Sequence, residues 1–163
     1  MYTLEAILAR KKTLTDAAEG FTNLKVIELP QNVSMIPVTG RLLYELEIRY
    51  QGGSNVEDPN TQQFSESLFH LRFERLIVGV DELAKHLSMK GTVAYVEATF
   101  TGGYSEHATM LYQNGERNNT PGTSIKEILI LLGITPMHGF DEFDSIGLGR
   151  FRTTKEWFDY FTT

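Results

Sequence analysis

Cysteine is absent from this 163-residue chain. That excludes disulfides, thiolate zinc sites and a cysteine nucleophile, and gives no support to a disulfide-stapled secreted fold. Long apolar runs are missing too. The longest, residues 128–132, is far too short to cross a bilayer. Glu5 and the Arg10-Lys11-Lys12 cluster interrupt the N-terminal apolar residues, so no signal peptide is expected there. Positive charge is in deficit. The net charge is −6, and residues 1–60, 61–120 and 121–163 each carry two more acids than bases. A nucleic-acid binder normally carries a basic surplus for the phosphates, so that class is not expected. Neither an internal repeat nor a low-complexity tract occurs. What is present is ordinary: 41% hydrophobic and 22% charged residues, at a length that suits one core. These values predict a single cytoplasmic domain over 1–163 with no membrane association.

The pattern along the chain predicts an α+β fold. Leu4, Ile7, Leu8 and Leu14 fall roughly on one helical face, so a helix is expected over 3–18 with Gly20 as its stop. Residues 24–29 and 33–38 read as short strands, Pro37 placing the second at an edge. Residues 41–50 fit either periodicity; their Glu, Leu and Arg content favours helix. A broad apolar stripe over 64–88 predicts a central helix, divided near Gly79 with Asp81 capping its second part. Residues 92–100 form the best strand, rich in β-branched and aromatic residues. Gly102-Gly103 turns it back into residues 106–113, and Asn114-Gly115 makes a second turn. Ser124 with Glu127, and Thr153 with Glu156, have capping-box spacing ahead of two further helices. The expected architecture is a mainly antiparallel sheet centred on the 92–113 hairpin, with helix 64–88 on one face. Its core should include Val26, Ile27, Leu71, Leu76, Val80, Leu83, Val96, Ala98, Leu111, Ile128, Leu132 and Trp157.

The usual chemical signatures are missing. His70, His86, His107 and His138 show no i, i+4 pair, so no metal is expected. Asp141, Glu142 and Asp144 lack the calcium-loop pattern and read as a solvated turn with Phe140 and Phe143 packed inward. Gly147-Leu148-Gly149 runs into Arg150-Phe151-Arg152 rather than a third glycine, so no dinucleotide or other cofactor is expected. Ser105, Glu106 and His107 are adjacent, but neighbours on a strand face opposite ways, and no G-x-S-x-G elbow occurs. No catalytic residue is assigned.

The segments YVEATFTGGYSEHATMLYQNGE, SIKEILILLGI and FDEFDSIGLGRFR resemble small bacterial immunity proteins, which neutralise the toxin domains of polymorphic or contact-dependent systems. The resemblance covers roughly the last seventy residues and lies in size, acidity and α+β make-up. It supplies no motif with defined functional residues. It implies a non-enzymatic protein whose partner is a toxin domain, where an acidic surface would gain on-rate and specificity against a basic cleft. A small enzyme or ligand-binding domain without a recognisable motif is the alternative, and self-association through exposed Phe and Tyr is a third reading. Asp141, Glu142 and Asp144 are expected on the partner-binding face, because connecting segments often carry recognition. Tyr104 and Glu106 at the hairpin tip are secondary candidates. Solvation of the acids, or their pairing with Arg150 and Arg152, stands as the other outcome.

Overall fold

The computed structural model describes residues 1–50, 73, 75–118 and 124–162. Six strands form one sheet: β1 (Tyr2–Arg10), β2 (Ile27–Leu29), β3 (Val33–Pro37), β4 (Val93–Thr101), β5 (Tyr104–Gln113) and β6 (Glu116–Asn118). Their spatial order is β2-β3-β1-β4-β5-β6 and every neighbouring pair is antiparallel. Among the described residues five helices cover the sheet: α1 (Gly40–Tyr50), α2 (Val78–Leu87), α3 (Ile125–Leu131), α4 (Glu142–Ser145) and α5 (Thr154–Tyr160). The fold is α+β in a single domain, as the sequence implied.

Helices pack on both faces of the sheet, with α2 on one of them as expected of residues 78–87. Ile7, Ala9, Ile36, Tyr95 and Tyr112 meet Leu42 and Leu46 of α1 and Val80, Leu83 and Leu87 of α2. On the opposite face Leu4, Leu8, Val96 and Ala98 meet Ile125, Ile128 and Leu129 of α3, together with Ile146, Leu148 and Trp157. The sheet is thus the shared wall of two apolar layers.

That double burial explains the main correction. Residues 3–18 are not a helix: β1 occupies Tyr2–Arg10 and a 3-10 turn follows at Lys11–Thr13. Leu4, Ala6, Ile7, Leu8 and Ala9 are all buried because both faces of β1 are covered. A strand buried on both sides loses its alternation and reads as a continuous apolar run.

The helix expected over 64–88 is also corrected where it is described. It begins at Val78; residues 73 and 75–77 are not helical, and Leu68, Phe69 and Leu71 lie outside the described residues. Asp81 does not cap it. Ile77 holds the N-cap position, and the Asp81 side chain turns to β6 instead. Gly79 allows close packing: a Cβ there would stand 2.8 Å from Leu46 Cβ and 2.9 Å from the Leu46 carbonyl oxygen of α1. β3 is interior rather than an edge strand. Its proline is tolerated because β2 pairs only with Val33, Ser34 and Met35, so Pro37 faces no β2 partner.

The hairpin is as expected. Gly102 and Gly103 take φ of +53° and +83° between paired Thr101 and Tyr104, a two-residue turn with both central residues left-handed. Residues 41–50 are helical, and Ser124 with Glu127 forms a complete capping box on α3. Thr153 caps α5 by accepting from Glu156 N, but the Glu156 carboxylate accepts from Arg152 N. Of the expected core, Val26 is only half-buried; Ile27, Leu76, Val80, Leu83, Val96, Ala98, Leu111, Ile128, Leu132 and Trp157 are buried.

A seam beside β1 completes the sheet. β3 reaches β1 only as far as Val38 N, which donates to the Glu5 carbonyl at 2.9 Å. Beyond that point residues 152–154 take the vacant place: Thr3 N donates to the Arg152 carbonyl at 2.8 Å, and Glu5 N to Thr154 Oγ1 at 2.9 Å.

Candidate functional site

The hairpin end of β4 and β5 carries two of the residues singled out from sequence. Tyr104 (61% exposed) and Glu106 project from one face of β5, and the Tyr104 hydroxyl donates to Glu106 Oε1 at 2.9 Å. His107 lies between alternate positions on the other face. Phe100 pairs with Ser105 near the tip, and its ring lies 5.3 Å from Tyr2 and 6.4 Å from Phe143. Tyr2 and Phe143 are themselves 5.8 Å apart, in edge-on contact. The three rings bind α4 to the hairpin end of the sheet. Tyr2 also donates to the Leu148 carbonyl at 3.0 Å, and burial raises its phenol above the ordinary range.

This aromatic joint brings the acidic segment to the same end of the molecule. Asp141 is exposed and caps α4, its Oδ1 accepting from Asp144 N at 2.9 Å. Asp144 is exposed as well. Glu142 is not available in the same way: it is 6% exposed, turned into the fold by the first turn of α4. Of the two phenylalanines expected to pack inward, only Phe143 does; Phe140 is 59% exposed. Neither Arg150 nor Arg152 forms an ion pair with Asp141, Glu142 or Asp144. Arg150 lies over the Tyr160 ring instead, 4.7 Å from its centre.

A second polar site was not foreseen. Glu5 and Glu97 stand directly opposite each other on β1 and β4. Like charges so placed repel, and the structure answers with donors. Glu97 Oε1 accepts from the buried Tyr95 hydroxyl and from Arg75 N, each at 2.7 Å. Glu5 accepts the Thr154 hydroxyl proton and has Arg75 Nε at 3.7 Å. Above Glu5 opens a cleft of about 550 Å³, lined by Thr3, Thr39, Arg41, Arg75, Lys155 and Phe158 among others. The residues come from β1, the start of α1, the approach to α2, and α5, so no local spacing marks them. The usable signal was an acid placed mid-strand in two otherwise apolar segments, LEAILA and VAYVEATF.

Buried charge also occurs at the other end of the sheet. Asp81 is 2% exposed and is held by Arg117, Lys85 and the Tyr112 hydroxyl, which donates at 2.8 Å. Burial acts to raise the Asp81 pKa, but the bonds and charge of Arg117, with Tyr112 and Lys85, outweigh it and hold the carboxyl below its ordinary value. Burial raises the Tyr112 phenol well above its own. These groups fasten β5 and β6 to α2. Among the described residues no three potential ligands gather as a metal would require, and no helix is long and apolar enough to cross a membrane.

No protein-family model, curated protein or solved structure matches the chain.

Proposed function

We propose that the chain is a non-enzymatic binding protein of the immunity type: a bacterial, cytoplasmic inhibitor that binds a cognate toxin domain. The observation supporting this reading is the joint between the hairpin end and α4. Phe143 packs against Phe100 and Tyr2 and holds exposed Asp141 and Asp144 near the hairpin end, on the sheet face opposite exposed Tyr104 and Glu106. An exposed tyrosine with Glu106 beside it at the tip, and two more acids behind it, suits recognition of a basic protein surface, with the aromatic as anchor and the acids steering approach. Asp141 and the Tyr104–Glu106 pair are held by local bonds before any partner arrives, which lowers the entropy cost of association.

The test is capture of a partner from the source cell with the tagged full chain, followed by expression of that partner in a naive host. Growth arrest by the partner alone, relieved by co-expression of this chain, supports the proposal. A harmless partner, or arrest that co-expression does not relieve, overturns it.

A further inference from the structure

We propose that the cleft above Glu5 binds a small molecule through a carboxylate or phosphoryl oxyanion. The cleft volume of about 550 Å³ is typical of small-ligand sites. The carboxylates on its wall already face donors. Glu5 receives the Thr154 hydroxyl and faces Arg75, and Asp159 is paired with Lys155. Thr154 is filled in both senses, since its oxygen also accepts from Glu5 N.

The donors are in surplus. Thr39 Oγ1 accepts from Leu42 N and Thr153 Oγ1 from Glu156 N, both at 3.2 Å, so each hydroxyl keeps its proton for another acceptor. Arg41 makes no hydrogen bond or ion pair with any described residue, and it lines the cleft. Arg75 spends only Nε on Glu5, at 3.7 Å, leaving the rest of its fork. Two guanidinium groups and two spare hydroxyl protons converge on one half-open space, with Phe158 supplying an apolar wall. The unused capacity is on the donor side, and an oxyanion meets it. The planar guanidinium fork matches carboxylate and phosphate oxygens two at a time. Thr3 of this cleft lies in one cross-strand row with Thr99 and Glu106, but the donors used here, Thr39, Arg41, Arg75 and Thr153, take no part in the protein-partner reading.

The test needs no partner. The full chain, labelled with nitrogen-15, is titrated with succinate and with glycerol 3-phosphate at constant ionic strength, with chloride as the control. Saturable amide shifts are expected at Thr39, Gly40, Arg75 and Thr154 with at least one of the two, and the preferred probe identifies the oxyanion. Arg41→Gln should weaken that binding about tenfold or more, as loss of a charged hydrogen bond implies, while leaving the unliganded melting temperature unchanged. Shifts that chloride reproduces, no saturable shift with either probe, or unaltered affinity in Arg41→Gln would each overturn the proposal.

Discussion

Asp81 and Arg117 meet in a two-pronged ion pair, Nε to Oδ1 at 2.7 Å and Nη2 to Oδ2 at 2.5 Å, with the carboxylate almost wholly out of water. Removing one partner leaves the other charge buried and short of bonds. Arg117→Met is therefore expected to destabilise the fold by about 3 kcal/mol, read from urea unfolding. Lys85 and Tyr112 still reach Asp81 in that variant, so a loss near zero would mean that they alone satisfy the carboxylate.

The same pair sets an acid limit. Because the folded pKa of Asp81 lies below its ordinary 3.8, the stabilisation it gives is complete above that value and is lost as pH falls through the lower folded value. Unfolding free energy measured from pH 5 downward should fall more steeply in the native chain than in Asp81→Asn, which starts lower. Parallel curves would remove Asp81 from the acid transition.

Gly79→Ala tests the contact between α1 and α2. Alanine is the better helix former, by about 1 kcal/mol. Its Cβ would nonetheless press on the Leu46 backbone and side chain at under 3 Å. Overpacking of that kind costs about 1–3 kcal/mol, so the net effect is a loss. A stabilised Gly79→Ala would show that the two helices separate freely.

The acidic segment should respond unevenly. Asp144→Lys changes an exposed charge and is expected to slow association with the proposed protein partner, most clearly at low salt, while leaving urea unfolding within about 0.5 kcal/mol of native. Glu142→Lys forces a cation into a buried position and should chiefly lower stability. If Asp144→Lys binds at the native rate in low salt, the α4 acids are not the contact surface.

Trp157 is 1% exposed, and its indole N–H has no partner among the described residues. Trp157→Phe keeps most of the ring volume and removes the orphan donor, so it should cost under about 2 kcal/mol. Trp157→Ala opens a cavity and should cost about 3–5 kcal/mol. Circular dichroism in urea separates them, and equal losses would mean that ring volume is not what Trp157 supplies.

The sequence disclosed the elements whose signals are local. Gly102-Gly103 specifies a turn by its freedom at positive φ, and Ser124 with Glu127 specifies a helix start by bonds three residues apart. β1 was hidden for the opposite reason. Its identity depends on β3 and β4 on either side and on helices over both faces, none of which leaves a mark on Leu4, Ile7 or Leu8. The candidate surfaces divide the same way. Asp141, Glu142 and Asp144 stand out as a run, but the sequence could not show that the first turn of α4 buries the middle one. Of the cleft only the mid-strand acids Glu5 and Glu97 left a local signal, because Arg41, Arg75 and Thr154 meet Glu5 only once the sheet has formed.

The seam beside β1 bears on what the chain exposes while it folds. β1 is central, yet among the described residues the amides of Thr3 and Glu5 on one side are closed by Arg152 and Thr154, the latter 149 positions further along the chain. Contacts so distant in sequence form slowly. Until they form, Thr3 and Glu5 present bare amides on a strand edge, the kind of template on which a second chain can pair. Residues 152–154 therefore act as a built-in guard, and folding intermediates that lack it are where aggregation would begin.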